Sequence, residues 1–215
     1  MLFRTQFSRS LLIGAGLLCF ASTPAVAECL VGAEPLFDPF APYKGGSAIV
    51  HKESGFVFPA EVSGFERLCE MTTDFSGDNF QIRYERLLGE QPIFVDIAVV
   101  HLEELTARDH YRIFKPTVMS HYSSASIESE GDYFISGRSD LPAYQGIFDG
   151  QKNQVPWHVS LTAIDYGYWD ARLIASYPHE LDVPAQEALM ELVAAFQWQS
   201  PATPEVGKKN TGKAP

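Results

Sequence analysis

Histidines and carboxylates are the side chains here with chemistry to offer, and they are scattered along the sequence. His101 and His158 each lie in a segment patterned like a strand, so a histidine-based site would be built around one of them. His110 and His121 would share one helix face, but neither has a second zinc ligand at the usual short spacing. Both read as ordinary surface or half-buried histidines. Asp96 interrupts the apolar run Ile93 to His101. It is either a buried carboxylate with a perturbed pKa or a strand residue open to solvent or paired with a cation, and the second is favoured. The stretch Asp74-Phe75-Ser76-Gly77-Asp78-Asn79 lacks the spaced oxygens and terminal Glu of an EF-hand loop, which leaves a hairpin turn.

No G-x-S-x-G elbow, S-x-x-K, H-E-x-x-H, P-loop or dinucleotide glycine fingerprint occurs, and no C-x-x-C suggests redox work. No catalytic residue, metal ligand set or cofactor is therefore assigned. Any enzymatic site would have to be assembled from distant positions. The stretch Asp165-Tyr166-Gly167-Tyr168-Trp169 gathers three aromatics, and Tyr166, Tyr168 and Trp169 are the candidate partner-binding residues. Alternatively Trp169 and one tyrosine turn inward, since Trp169 falls on the buried side of the alternation that follows.

That alternation belongs to the elements that must position everything else. Trp169, Ala171, Leu173, Ala175 and Tyr177 oppose Asp170, Arg172 and Ser176, with Ile174 the exception; this predicts a strand with one buried face. Ala185, Ala188, Leu189, Leu192, Val193 and Phe196 then recur at helical spacing as far as Trp198. Asp182 or Val183 starts that helix, and Pro184 fits its first turn. Upstream, Thr106-Ala-Arg-Asp109 resembles a capping box, so a second helix begins near Ala107 and either ends near Phe114 or kinks at Pro116.

Strands are expected over Ser47 to His51, Gly55 to Pro59, Arg67 to Thr73, Phe80 to Glu85 and Ile93 to His101. Ser126 to Glu130 and Tyr133 to Ser136 should flank a turn at Gly131-Asp132, and Asp149-Gly150 should close a hairpin. The fold class is α+β, one domain with a central antiparallel sheet flanked by helices.

Arg4 and Arg9 precede an apolar run from Leu11 to Ala21 and the triplet Ala25-Val26-Ala27, the pattern of a secretory signal cleaved between Ala27 and Glu28. A retained anchor is the alternative, but the run is short for a membrane span. Residues 1–27 are thus the signal, 28–46 an irregular proline-rich segment pinned by Phe37, Phe40 and Tyr43, 47–198 the folded domain, and 199–215 a disordered tail. Cleavage would move the formal charge from −11 to −13. So acidic a chain has no basic face for nucleic acid and no attraction to anionic lipid. In an oxidising compartment the remaining Cys29 and Cys69 are expected to pair, closing a loop worth roughly 3–4 kcal/mol, the alternative being two free thiols.

Gly55-Phe-Val-Phe-Pro59, the hairpin from Asn79 to His101, the middle helix, the strand meander, Arg172-Leu-Ile-Ala-Ser-Tyr-Pro178 and Ala195-Phe-Gln-Trp198 together resemble the PsbP-like superfamily over residues 47–198. This superfamily takes its name from an extrinsic photosystem subunit and includes a Ran-binding factor and exported bacterial proteins. The resemblance implies an α/β/α sandwich, and members that bind or support other proteins more than they catalyse. It carries over no functional residue.

The expected function is an exported, periplasmic or secreted, non-enzymatic binding or accessory protein of the cell envelope. Its partner would be an envelope protein or small ligand; the mature chain would have no transmembrane segment, and its oligomeric state is open. The alternatives are an envelope hydrolase or metal-dependent enzyme with a dispersed site, and an inhibitor whose acidic face blocks a basic cleft.

Overall fold

A computed structural model describes residues 32–102 and 105–198. The expected signal segment, Cys29 and the tail beyond residue 198 lie outside the described residues. The strands are β1 (Phe40–Pro42), β2 (Ile49–His51), β3 (Val57–Phe58), β4 (Glu61–Val62), β5 (Phe65–Thr72), β6 (Phe80–Leu88) and β7 (Gln91–His101). Helix α1 (Ala107–Ser120) follows, then β8 (Ser123–Asp132), β9 (Ala143–Lys152), β10 (Val155–Asp165), β11 (Trp169–Pro178), a 3₁₀ turn (His179–Leu181) and α2 (Asp182–Ala195). Strands β4 to β11 form one antiparallel sheet in the order β4-β5-β6-β7-β11-β10-β9-β8, and β1 to β3 form a small second sheet. This is a single domain of mostly sheet with two helices, so each face of a sandwich has one helix at most.

Register decides what each helix covers, because paired residues share a face. Trp169, Ala171, Leu173, Ala175 and Tyr177 of β11 oppose His101, Val99, Ile97 and Val95 of β7 on one side, and Ile164, Thr162, Ser160 and His158 of β10 on the other. Ala185, Ala188, Leu192 and Val193 of α2 pack on this face, and the small sheet adds Phe40, Phe56 and Phe58. On the opposite face Ala107, Tyr111 and Val118 of α1 pack on Tyr144, Phe148, Val159, Leu161 and Ala163. Ile174 joins that second cluster, which explains the residue that broke the alternation.

Asp170 and Arg172 therefore do not face solvent as a one-sided strand would have them. Asp170 is fully buried, and the Arg172 guanidinium lies 3.4 Å from the centre of the Phe114 ring. Burial lowers the Arg172 pKa to about 10. His110 is likewise completely buried against Asp170, not at or near the surface, whereas His121 is exposed and donates to the Thr117 carbonyl (2.8 Å). Asp96 takes two bonds from Arg83, at 2.7 and 2.8 Å, a bidentate pair of the kind guanidinium geometry favours.

Helix α1 starts as its sequence dictates. Thr106 Oγ1 accepts from the Asp109 amide, the N-cap half of a capping box, and its hydroxyl donates to the Asp109 carboxylate. Pro116 does not end it; the helix continues to Ser120. Helix α2 stops at Ala195 instead of reaching Trp198, because Phe196 turns extended (ψ 96°) and lets Trp198 fold back into the core.

Two turns differ from expectation. Gly131-Asp132 is the continuation of β8, and Tyr133 to Ser136 is not a strand. Asp149-Gly150 lies inside β9, and the chain reverses at Asn153-Gln154, both with positive φ (53° and 66°), as a tight hairpin requires. Gly150 serves packing: a Cβ there would sit 2.7 Å from that of Tyr122. The 28–46 segment contains β1 despite Pro42, and of its aromatics Phe40 is buried while Phe37 is 81% exposed.

His51 is fully buried among Phe40, Phe80 and Trp169. Its Nδ1 accepts from the Ser54 amide and hydroxyl, and its Nε2 donates to the Gly77 carbonyl. Burial lowers its pKa from the usual 6.5 despite the Gly77 contact. Below pH 6.5 the unfolded imidazole takes up a proton that the folded one refuses, so stability should fall as pH drops from 6.5 toward the lowered folded value. Urea unfolding at pH 7 and pH 5 checks this. His51→Gln should flatten the slope in that window; an unchanged slope refutes the assignment.

Candidate functional site

Between α2 and the sheet lies a cavity of about 70 Å³, lined among others by Gln145, Ser160, Thr162, Ala175, Leu189 and Val193. Its two walls differ in chemistry. Alternation on β9 and β10 brings Gln145, Ser160 and Thr162 to the α2 face, where the Gln145 amide donates to the Thr162 and Ser160 hydroxyls at 2.9 and 3.3 Å. Leu189, Met190 and Val193 of α2 supply the opposite, apolar wall. Such a space accommodates a few waters or a short chain carrying one polar group.

Two residues further along the same strands, the same face presents His158 of β10 beside Asp149 of β9. His158 is 3% exposed, and among the described residues neither ring nitrogen has a hydrogen-bond partner. Its Nε2 lies 3.2 Å from Asp149 Oδ1, while its Nδ1 lies 3.4 Å from both Glu128 Oε2 and Asp182 Oδ1. The imidazole of His179, exposed on the 3₁₀ turn, stands edge-on to that of His158 with ring centres 4.3 Å apart. One ligand atom from each of Asp149, His158 and His179 falls within 4.8 Å of the others. These three are the described residues placed to hold a cation.

The other residues singled out in the sequence are dispersed. His101, half-buried, packs on Tyr168 at 3.9 Å between ring centres, at the far end of β7 and away from His158. Trp169 and Tyr166 are buried at 3% and 5%, so of the three aromatics only Tyr168 keeps substantial exposure. Burial pushes the Tyr166 phenol well above its ordinary range. Asp74 caps its own turn, accepting from the Gly77 amide at 2.7 Å. Cys69 lies on β5, and its expected partner Cys29 lies outside the described residues. Among the described residues no helix is long and apolar enough to cross a membrane.

His158 was visible in the sequence, whereas His179 and the carboxylates around it were not. Glu128, Asp149, His158, His179 and Asp182 come from three strands, the 3₁₀ turn and the start of α2, and only His179 and Asp182 are close in sequence. A one-face pairing of Asp149 with His158 follows only from the β9–β10 register, which the misplaced Asp149-Gly150 turn hid.

No family profile matches the chain, and no curated protein matches it. Among solved structures, LpqN of Mycobacterium tuberculosis, described as involved in cell envelope biogenesis, is similar at a TM-score of 0.42 and 12% identity, over 64% of this chain and 79% of that one. That likeness is loose and at the level of fold; a PsbP-like relationship is not shown by it.

Proposed function

We propose that the chain is an exported, non-enzymatic accessory protein of the cell envelope that binds a small amphiphilic ligand between α2 and the sheet. The observation that carries this is the two-sided cavity, with the hydroxyls of Ser160 and Thr162 and the Gln145 amide on one wall and Leu189, Met190 and Val193 on the other. The Gln145 amide occupies the acceptor side of both hydroxyls, and their O–H groups keep a donor to offer a polar ligand atom. Export follows from the Ala25-Val26-Ala27 signal pattern, and a Cys29–Cys69 bridge would tie the mature N-terminus to β5.

Propionamide is a suitable probe, with its amide matched to the polar wall and its short tail to α2. In an NMR titration of the mature protein it should shift the Gln145, Ser160, Thr162 and Val193 resonances together. Ser160→Leu, which fills the space, should abolish those shifts while leaving the rest of the spectrum intact. Shifts elsewhere only, or none at millimolar probe, refute the cavity as a binding site.

The second function, a metal-dependent envelope enzyme, is favoured by one observation, the convergence of His158, His179 and Asp149. It requires turnover of an ester, amide or phosphoester substrate that stops on His179→Ala.

A further inference from the structure

We infer that Asp149, His158 and His179 form a binding site for a divalent transition metal of the zinc class. It uses residues other than the cavity walls, and stands or falls separately from ligand binding there.

A neutral imidazole hidden from water normally donates from one nitrogen and accepts at the other, and His158 does neither among the described residues. A doubly protonated ring clasped by carboxylates would give contacts of about 2.7–2.9 Å. The observed 3.2 and 3.4 Å are too long and poorly aligned for that. They suit a metal better. With bonds near 2.0–2.2 Å, two ligand atoms on a tetrahedral ion stand roughly 3.3 Å apart. The 3.2 Å from His158 Nε2 to Asp149 Oδ1 is that separation.

The two sides of the ring divide the work. Nε2 faces Asp149, the ligand side. Nδ1 faces Glu128 and Asp182, each 3.4 Å away, and a small shift of either carboxylate on metal binding would let it take the Nδ1 proton and so fix the tautomer that leaves Nε2 free to bind. Asp182 is held in turn by the Gln186 amide at 2.7 Å. Three carboxylates around one imidazole also supply the negative potential a dication needs. His179 is the adjustable member. It is exposed on the turn leading into α2, and can close the remaining distance without disturbing the sheet. Two imidazoles and one carboxylate favour zinc over calcium or magnesium, which prefer oxygen alone.

The site has a mechanical corollary. Asp149 and His158 belong to the sheet, while His179 leads directly into α2, so a bound ion would pin the start of α2 to β9 and β10.

The test is isothermal titration of the full mature protein, stripped with chelator, with zinc alone, paired with cobalt absorption spectra. One equivalent should bind, with cobalt giving the visible bands of a four-coordinate nitrogen and oxygen site. His179→Ala, a surface change that leaves the core untouched, should weaken zinc binding at least tenfold, as should Asp149→Asn. Ser160→Leu should not weaken it. Zinc binding that survives both ligand substitutions, or no binding in the unsubstituted protein, overturns the site. Should His158→Gln prove unstable, the His179 and Asp149 variants decide the matter.

Discussion

Replacing Trp198 with alanine is expected to lower the stability of the folded chain by about 3–5 kcal/mol, the usual cost of deleting a large buried aromatic. Trp198 is 5% exposed although it lies beyond the end of α2. Its ring stacks on Phe56 at 4.8 Å and 6°, and on Phe196 at 4.4 Å. The indole N–H donates to the Val57 carbonyl at 2.8 Å. Arg138 in turn donates to the Trp198 carbonyl. The side chain therefore clasps the small sheet to the end of α2, and truncation opens a void and orphans an acceptor together. Urea unfolding of the two proteins measures the loss. Trp198→Phe keeps most of the stack and should recover more than half of it. A change below about 1 kcal/mol on Trp198→Ala would mean that the clasp contributes little.

Removing either side of the His110–Asp170 pair should cost about 3 kcal/mol or more, and removing both should cost less than the two singles together. Nδ1 of His110 donates to Asp170 Oδ2 at 2.9 Å, and both side chains are completely buried. Burial raises the Asp170 pKa, against the hydrogen bond from His110. Asp170→Ala leaves an imidazole in the dry layer beneath α1, and His110→Ala leaves a carboxyl there with no donor to it. His110→Leu combined with Asp170→Leu replaces a costly polar pair by packing. A double-mutant cycle by urea unfolding reads the coupling; strictly additive single effects refute it.

Much of the scaffold could be read from residue patterns, and the misses have physical causes. The capping residues Thr106 and Asp109 gave the start of α1, because a local hydrogen bond leaves a local signature. The alternation from Trp169 to Tyr177 placed β11 correctly yet suggested one buried face. Ile174 was the clue to the second, since an isolated strand has no reason to carry it there. Asp170 looked solvent-facing and His110 a surface or half-buried residue because the two pair with each other from 60 positions apart, a relation no window can see. Gly150 looked like a turn residue and is instead a contact with Tyr122. The candidate metal site suffered from the same blindness. His158 drew notice alone, but its neighbours are supplied by strand register and by the turn after β11.

The pairing of β7 with β11 has a consequence for assembly. It joins Val95 to Ala175 in the middle of the sheet, with α1 and three strands inserted between them along the chain. The segment from β4 to β7 can form its hairpins early, yet its most apolar strand keeps a bare edge until β11, the last described strand, arrives. A chain emerging from its amino end would carry that edge from the appearance of β7 until β11 has followed it. Folding of this protein should therefore be slow for its size and sensitive to anything that shields or captures β7 in the interval.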